Sequence, residues 1–473
     1  MIEFLSSVDA MVWGPAMICF LLGTHIFLTF RTGFIQRKLG KAIKMSLARE
    51  VDAEGDITHF GALVTALAAT IGTGSIVGVA TAILAGGPGA VFWMWITGVF
   101  GIATKYAEVY AAVKYRVKDH KGEMLGGAMY IWERAFMSRD GKVPIWAKIG
   151  AGAFALFAAV AAIGTGSAVQ ASAMTGIITS NIPIPAWVMG IAIVVLVAIV
   201  IFGGVQSIAR ACEMLVPFMA VGYAGGCLII LVMNGPWLLE SFQLILECAF
   251  TAKAAFGGAV GSGIMVALQF GCARGLFSNE SGLGSAPIVA AAAITKNPAS
   301  QALVAMTGTF WSTVVICLLT GLVLVSSMLA HPDIASTILS DVNIFTGAQL
   351  SSLAFSKIPY IGTPILILGM VAFSYSTILG WSYYGSRCAT YLFGKHAVRP
   401  YQFVYVLVAF LGAIGVGDVV WLISDIGNAL MAIPNIIVVL MLSGLIARET
   451  KYFIYEDNLD ELADQDIPVI ESK

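Results

Sequence analysis

Two glycine-interrupted apolar segments hold the residues best suited to chemistry. One reads Ala66-Leu67-Ala68-Ala69-Thr70-Ile71-Gly72-Thr73-Gly74-Ser75-Ile76-Val77-Gly78, the other Leu268-Gln269-Phe270-Gly271-Cys272-Ala273-Arg274-Gly275. Each interior Gly disfavours a helix by up to about 1 kcal/mol relative to Ala, so the paired glycines predict a local unwinding in each segment. Unwound backbone at membrane depth persists only where protein buries it or where it lines a cavity. There, free N–H groups at a half-helix N-terminus hold a carboxylate, and free carbonyls coordinate a cation. The competing reading is that the glycines let helices pack closely, and Gly74-x-x-x-Gly78 fits the small-xxx-small pattern.

These segments need a membrane around them, and the composition supplies the reason. Of 473 residues, 59% are hydrophobic and 11% charged, with a mean hydropathy of +0.89. A soluble domain carries roughly 25% charged residues, so a cytosolic enzyme is excluded. The net charge of −1 gives no bias toward nucleic acid. The seven cysteines form no C-x-x-C pair and read as small core residues. The expected class is an all-α polytopic membrane protein with eleven transmembrane helices, near 12–30, 60–84, 88–113, 147–178, 184–204, 209–232, 257–277, 300–329, 358–386, 401–417 and 419–446. Met1 to Ala10 lacks the basic stretch of a cleavable leader, so the first span is expected to be retained.

Charge tests that count independently. With the N-terminus outside, 23 of the 26 Lys and Arg fall in cytoplasmic loops, while Lys253 and Lys357 lie outside and Lys105 lies within a span. The reading is therefore N-outside and C-inside. Spans two to six (residues 59–232) and seven to eleven (residues 257–446) form two sets of five, and an odd number per set inverts one against the other. Residues 1–58 add a helix and a basic loop, and residues 447–473 form an acidic tail read as a solvated end. An interrupted helix opens each set, as expected of a secondary transporter with a midplane site.

The run Gly86-Gly87-Pro88-Gly89-Ala90-Val91-Phe92-Trp93-Met94-Trp95-Ile96-Thr97-Gly98-Val99-Phe100-Gly101 resembles the signature of the alanine/glycine:cation symporter family. Ala69-Thr70-Ile71-Gly72-Thr73-Gly74, Gln269-Phe270-Gly271, Ser281-Gly282-Leu283-Gly284-Ser285-Ala286-Pro287, Phe373-Ser374-Tyr375-Ser376-Thr377 and Trp381-Ser382-Tyr383-Tyr384-Gly385 match as well. The resemblance implies a leucine-transporter-type core of ten helices with two unwound helices, preceded here by one extra helix. It implies sodium-coupled uptake of alanine, often with glycine. Carried over by position, Ala68, Ile71 and Phe373 would offer carbonyls to sodium, joined by the hydroxyls of Ser376 and Thr377. The i, i+3, i+4 spacing puts those last three on one helical face, although hydroxyls in spans often bond their own preceding turn instead. Thr73 and Gly74 would present N–H groups to the substrate carboxylate. The carbonyl of Thr70 and backbone near Phe270 and Gly271 would receive its ammonium. Gln170 matches a substrate-contacting Gln, and Phe270 and Trp381 would close the pocket. Ser75 stands where many relatives have Asn, which bears on substrate preference.

Residues 60–86, 257–273 and 358–386 contain no Asp, Glu, Lys, Arg or His. Proton-coupled carriers commonly relay through such groups, so sodium is the expected coupling ion and a proton-coupled amino-acid carrier the nearest alternative. No other cofactor is expected. Lys105 and Glu108 at i, i+3 read as a structural ion pair or gate element, Asp425 as a capping or lining residue, and His25 as a packing residue. An integral membrane enzyme would need a constellation such as H-E-x-x-H, G-x-S-x-G or clustered acids at one membrane face, and the spans and their ends show none of these. Gly164-Thr165-Gly166-Ser167 has no His or acid nearby to make its serine a nucleophile. A channel remains the other class of rival. The expected partners are the lipid bilayer, sodium and a small amino acid, in a multi-pass monomer of the cell membrane.

Overall fold

The computed structural model describes residues 2–48, 53–251, 263–334, 346–415, 418–463 and 467–470. Arg49, Lys253, Lys473, the tail acids Asp464, Asp466 and Glu471, and residues 257–262 of the expected seventh span lie outside them. The described chain is almost wholly helical. Helix α1 (Ile2–Val12) meets α2 (Pro15–Arg31) at Trp13-Gly14, where Pro15 starts the second helix. After α3 (Leu39–Ser46), α4 (His59–Thr70) is capped by Thr58, whose Oγ1 accepts the Gly61 N–H. Then come α5 (Val77–Gly86), α6 (Gly89–Lys114) and a two-stranded hairpin, β1 (Val117–Lys118) with β2 (Met124–Leu125). Helix α7 (Ala128–Ala135) precedes α8 (Ile145–Ala161) and α9 (Val169–Thr179), which are joined through a π-helical turn at Ala162–Ala168.

The chain continues through α10 (Ala186–Ile201), α11 (Gly204–Met233) and α12 (Gly235–Phe250). Helices α13 (Ile264–Asn279) and α14 (Ala286–Ala290) follow, then α15 (Pro298–Thr309) and α16 (Leu318–Ala330), joined through a second π-helical turn. The C-terminal part holds α17 (Gly347–Ser356), α18 (Gly362–Phe393), α19 (Val398–Ala413), α20 (Asp418–Met441) and α21 (Ser443–Thr450). Helices α12 and α17 occupy stretches that hydropathy alone left as connections between spans. Among the described residues, six helical stretches are long and apolar enough to cross a membrane: Ile2–Arg31, Ile145–Thr179, Gly204–Met233, Pro298–Ala330, Gly362–Phe393 and Val419–Met441.

Helix α6 forms the centre, packed by α2, α12, α13 and α15. Its glycines explain the closeness. A Cβ on Gly98 would fall 2.8 Å from Thr313 Cγ2, and one on Gly101 would fall 3.2 Å from Ser281 Cβ. The periphery is different: α10 exposes Trp187, Leu196 and Ile199, and α11 exposes Met214, Phe218, Val221 and Val232. Large apolar side chains exposed in rows along helices suit a lipid-facing surface.

The tail departs from the sequence expectation of a solvated end. Asn297 Nδ2 donates to the carbonyls of Leu459 and Glu461, Ala463 N donates to Lys296 O, and Lys118 exchanges backbone hydrogen bonds with Pro468 and Ile470. Backbone groups and the Asn297 side chain hold most of it, joined by an ion pair between Lys41 Nζ and Asp457 Oδ1 at 2.9 Å.

Candidate functional site

The first interrupted helix supplies one wall. Helix α4 stops at Thr70; Ile71 (φ −84°, ψ 81°) and Gly72 (φ −118°, ψ −154°) are non-helical, a 3₁₀ turn covers Thr73–Ser75, and α5 restarts at Val77. A Cβ on Gly72 would fall 2.7 Å from Thr377 Oγ1 and 3.2 Å from Gln170 Oε1. Glycine is therefore what lets two side chains from other helices reach this break.

Thr377 Oγ1 donates to Ala68 O at 2.9 Å and lies 3.5 Å from Ile71 O. Ser376 Oγ lies 3.3 Å from Ala68 O and 3.0 Å from Phe373 O. Ala68, Ile71, Phe373, Ser376 and Thr377 thus bring five neutral oxygens from α4 and α18 to one spot. Ser376 also bonds back to its own helix through Phe373, as membrane hydroxyls commonly do. Thr377 instead spends its hydroxyl across the helix–helix gap. Carbonyls freed at a helix break, joined by hydroxyls, form a donor set suited to a monovalent cation.

Beside this cluster is a small cavity lined by Thr70, Gly72, Gly74, Thr165, Gln170 and Trp381, with Ala69, Phe277, Glu280, Leu283, Thr377 and Asn428. Gln170 Oε1 accepts the Thr73 N–H at 3.2 Å, and its Nε2 donates to Thr165 O at 3.1 Å. The π-helical turn shifts the hydrogen-bond ladder of α8–α9 at this point, so that a side chain five residues on can take the Thr165 carbonyl. Asn428 Nδ2 donates to Thr165 Oγ1 at 2.8 Å. Thr70 Oγ1 donates to Ala66 O within its own helix. Ser75 is fully buried but is not on the cavity wall.

The second interruption is not where the glycines placed it. Helix α13 runs unbroken through Phe270 and Gly271. A Cβ on Gly271 would fall 2.4 Å from Ala90 O, and one on Gly275 would fall 2.1 Å from Thr97 Oγ1. These glycines serve close packing on α6, which is the small-xxx-small reading applied to the other segment. A Cβ on Gly78, by contrast, meets nothing within 4 Å. Phe270 lines a separate pocket with Asp9, Trp13, Arg274 and Asp425, so neither Phe270 nor Gly271 reaches the cavity.

The α13–α14 helix pair instead breaks at Glu280–Ser285, where Glu280 (φ 52°), Gly282 (φ 92°) and Gly284 (φ 80°) are left-handed. Gly282 and Gly284 adopt that conformation without the Cβ penalty; Glu280 is held there by its contacts. Lys105 Nζ donates to Glu280 O at 2.8 Å and lies 3.1 Å from Glu108 Oε1. Glu108 Oε2 accepts from Gly282 N and from Asn435 Nδ2. The Lys105–Glu108 pair therefore pins the break. The Glu280 carboxylate accepts Trp381 Nε1 at 3.0 Å and Ser285 Oγ at 2.6 Å. Residues 257–273 contain no charged side chain, but Glu280 lies seven positions beyond that window and puts a carboxyl on the cavity wall. Sequence reasoning also missed Phe277, Thr165 and Asn428. The repeated Gly-Thr-Gly-Ser at 164–167 was the available signal for Thr165. His25 is buried, with Nδ1 2.8 Å from Thr104 Oγ1.

Comparison with known proteins gives the family and the fold. The sodium:alanine symporter family matches over residues 1–467. The chain is 47% identical over 456 residues to the sodium/alanine symporter AgcS of Methanococcus maripaludis, covering 96% of this chain and 97% of that protein. It is 45% identical over 456 residues to an uncharacterized transporter of Haemophilus influenzae, covering 95% and 96%. The crystal structure of MhsT in complex with L-phenylalanine superposes with a TM-score of 0.52 at 13% identity, covering 85% of this chain and 99% of that one, which shows a shared fold of the leucine-transporter type. The chain belongs to the sodium:alanine symporter family.

Proposed function

We propose that this sodium:alanine symporter family member carries alanine, with glycine as a second substrate, into the cell together with sodium by alternating access. The observation that carries the reading is the five-oxygen cluster of Ala68, Ile71, Phe373, Ser376 and Thr377 lying directly against the cavity through Thr377. Sodium would replace the Thr377 hydrogen bond as the common partner of these oxygens and so tie α4 to α18. The α-carboxylate would meet the Thr73 N–H, which now donates to Gln170 Oε1, and the Gly74 N–H, and Trp381 with Phe277 would limit side-chain size. One N-terminal span followed by two five-helix sets over 59–232 and 257–446, eleven spans with the N-terminus outside, would frame the site in a monomer of the cell membrane. Sodium plus a zwitterion moves one net charge, worth about 2.3 kcal/mol per 100 mV.

A proton-coupled carrier is the second reading, favoured by one observation: a carboxyl, Glu280, on the cavity wall. Radiolabelled alanine uptake by proteoliposomes separates the two. An inward sodium gradient should drive accumulation at equal pH on both sides. Equal uptake in sodium-free buffer under a proton gradient would overturn sodium coupling, and unitary currents in a bilayer would overturn the carrier.

A further inference from the structure

An amino-acid ammonium group brings up to three N–H donors into a site and needs acceptors there. Inside the uninterrupted α13, the Phe270 and Gly271 carbonyls are taken by the helix's own ladder. The only carboxylate among the described residues lining the cavity is that of Glu280. We propose that Glu280 is the counter-charge that receives the ammonium of the transported amino acid; the inference rests on the reading of this cavity as an amino-acid site.

Three observations carry it. First, acceptor capacity remains. Trp381 and Ser285 donate one hydrogen bond to each carboxylate oxygen, whereas an ionised carboxylate has about four acceptor positions. Second, the nearby lysine is already committed. Lys105 is paired with Glu108 and bonds the backbone carbonyl of Glu280, while Glu108 is further held by Gly282 and Asn435. The buried pair is neutral as a unit and leaves Glu280 as the surplus anion. A buried carboxylate that has hydrogen-bond donors but no cation paired to it is unfavourable, so a cation entering beside it is correspondingly stabilised. Third, the carboxylate is fixed before any ligand arrives. Its backbone is pinned by Lys105, its two oxygens are oriented by Trp381 and Ser285, and it shares the cavity wall with Gly72 and Gly74 of the break proposed to hold the carboxylate. The zwitterion is thereby bracketed between neutral donors at one end and a negative acceptor at the other.

The test compares alanine with lactate, which replaces the ammonium by a neutral hydroxyl, as competitors of radiolabelled alanine in proteoliposomes. The wild type should prefer alanine strongly. Glu280→Gln should weaken alanine binding by roughly ten- to hundred-fold and narrow the alanine-over-lactate preference. The sodium-induced change in tryptophan fluorescence recorded without substrate should persist. Ser285→Ala, which keeps the charge and loosens its orientation, should cost less. Unchanged alanine affinity in Glu280→Gln, or equal weakening of alanine and lactate as a merely structural role predicts, would overturn the proposal. If Glu280→Gln does not fold, Glu280→Asp withdraws the same charge by one methylene and must still lower alanine affinity. A wild type that binds no alanine would refute the functional reading itself; a wild type that transports alanine beside an unaltered Glu280→Gln would refute only this inference.

Discussion

Thr377 and Ser376 are adjacent hydroxyls with different commitments. The hydroxyl of Thr377 points across to Ala68, while that of Ser376 is divided between Ala68 and its own helix. Thr377→Ala should therefore raise the sodium concentration for half-maximal alanine uptake by about tenfold, with Ser376→Ala costing less; uptake measured against sodium concentration checks both. Gln170→Ala should act on the other ligand, raising the alanine concentration needed while leaving the sodium curve in place. These residues were legible because motif position placed them and the break at Gly72 gave them something to face. Glu280 was not legible in the same way. A single acid at the end of an apolar run reads as a loop residue until the left-handed turn at 280–284 folds it back beneath Trp381.

At the scale of elements, glycine proved ambiguous in sequence and clear in space. Gly72 admits side chains into a helix break, Gly271 and Gly275 admit the backbone of α6, and Gly78 admits nothing. Helix propensity alone cannot separate these cases, since every glycine weakens an isolated helix alike, and tertiary contact decides which helix yields. Gly271→Ala forces its methyl onto the Ala90 carbonyl and should cost about 1–3 kcal/mol, seen as a lower melting temperature in detergent. Gly78→Ala should leave that temperature unchanged or raise it. A Gly271→Ala protein as stable as wild type would refute the packing role. The amphipathic pattern of α12 and the capping box that starts α17 went unread because a search for membrane spans selects on length and hydropathy.

For the molecule as a whole, composition and the placement of basic residues were enough to identify a polytopic helical protein. What they could not show is how the connecting segments knit together. Asp119 follows β1, where burial raises its carboxyl pKa, but Lys395 and the N–H groups of Glu123 and Lys121 outweigh that and hold it below the ordinary carboxylate range. A depressed folded-state pKa contributes stability that is present above the unfolded value, about 3.9, and lost as pH falls through the lower folded value. Thermal stability should thus decline on acidification below about pH 5, and Asp119→Asn should flatten that decline in melting curves recorded across pH.

The docked tail also has a consequence for the order of events during synthesis. Asn297 obtains its partners from Leu459 and Glu461, and Lys118 obtains its backbone partners from Pro468 and Ile470. A ribosome makes those residues more than 150 positions after Asn297 and about 350 after Lys118. Every helix among the described residues is already made before these donors and acceptors can be satisfied. Closure of this face therefore waits until synthesis has passed Ile470, and a nascent chain stopped short of that point leaves the Asn297 amide and the Lys118 backbone uncovered.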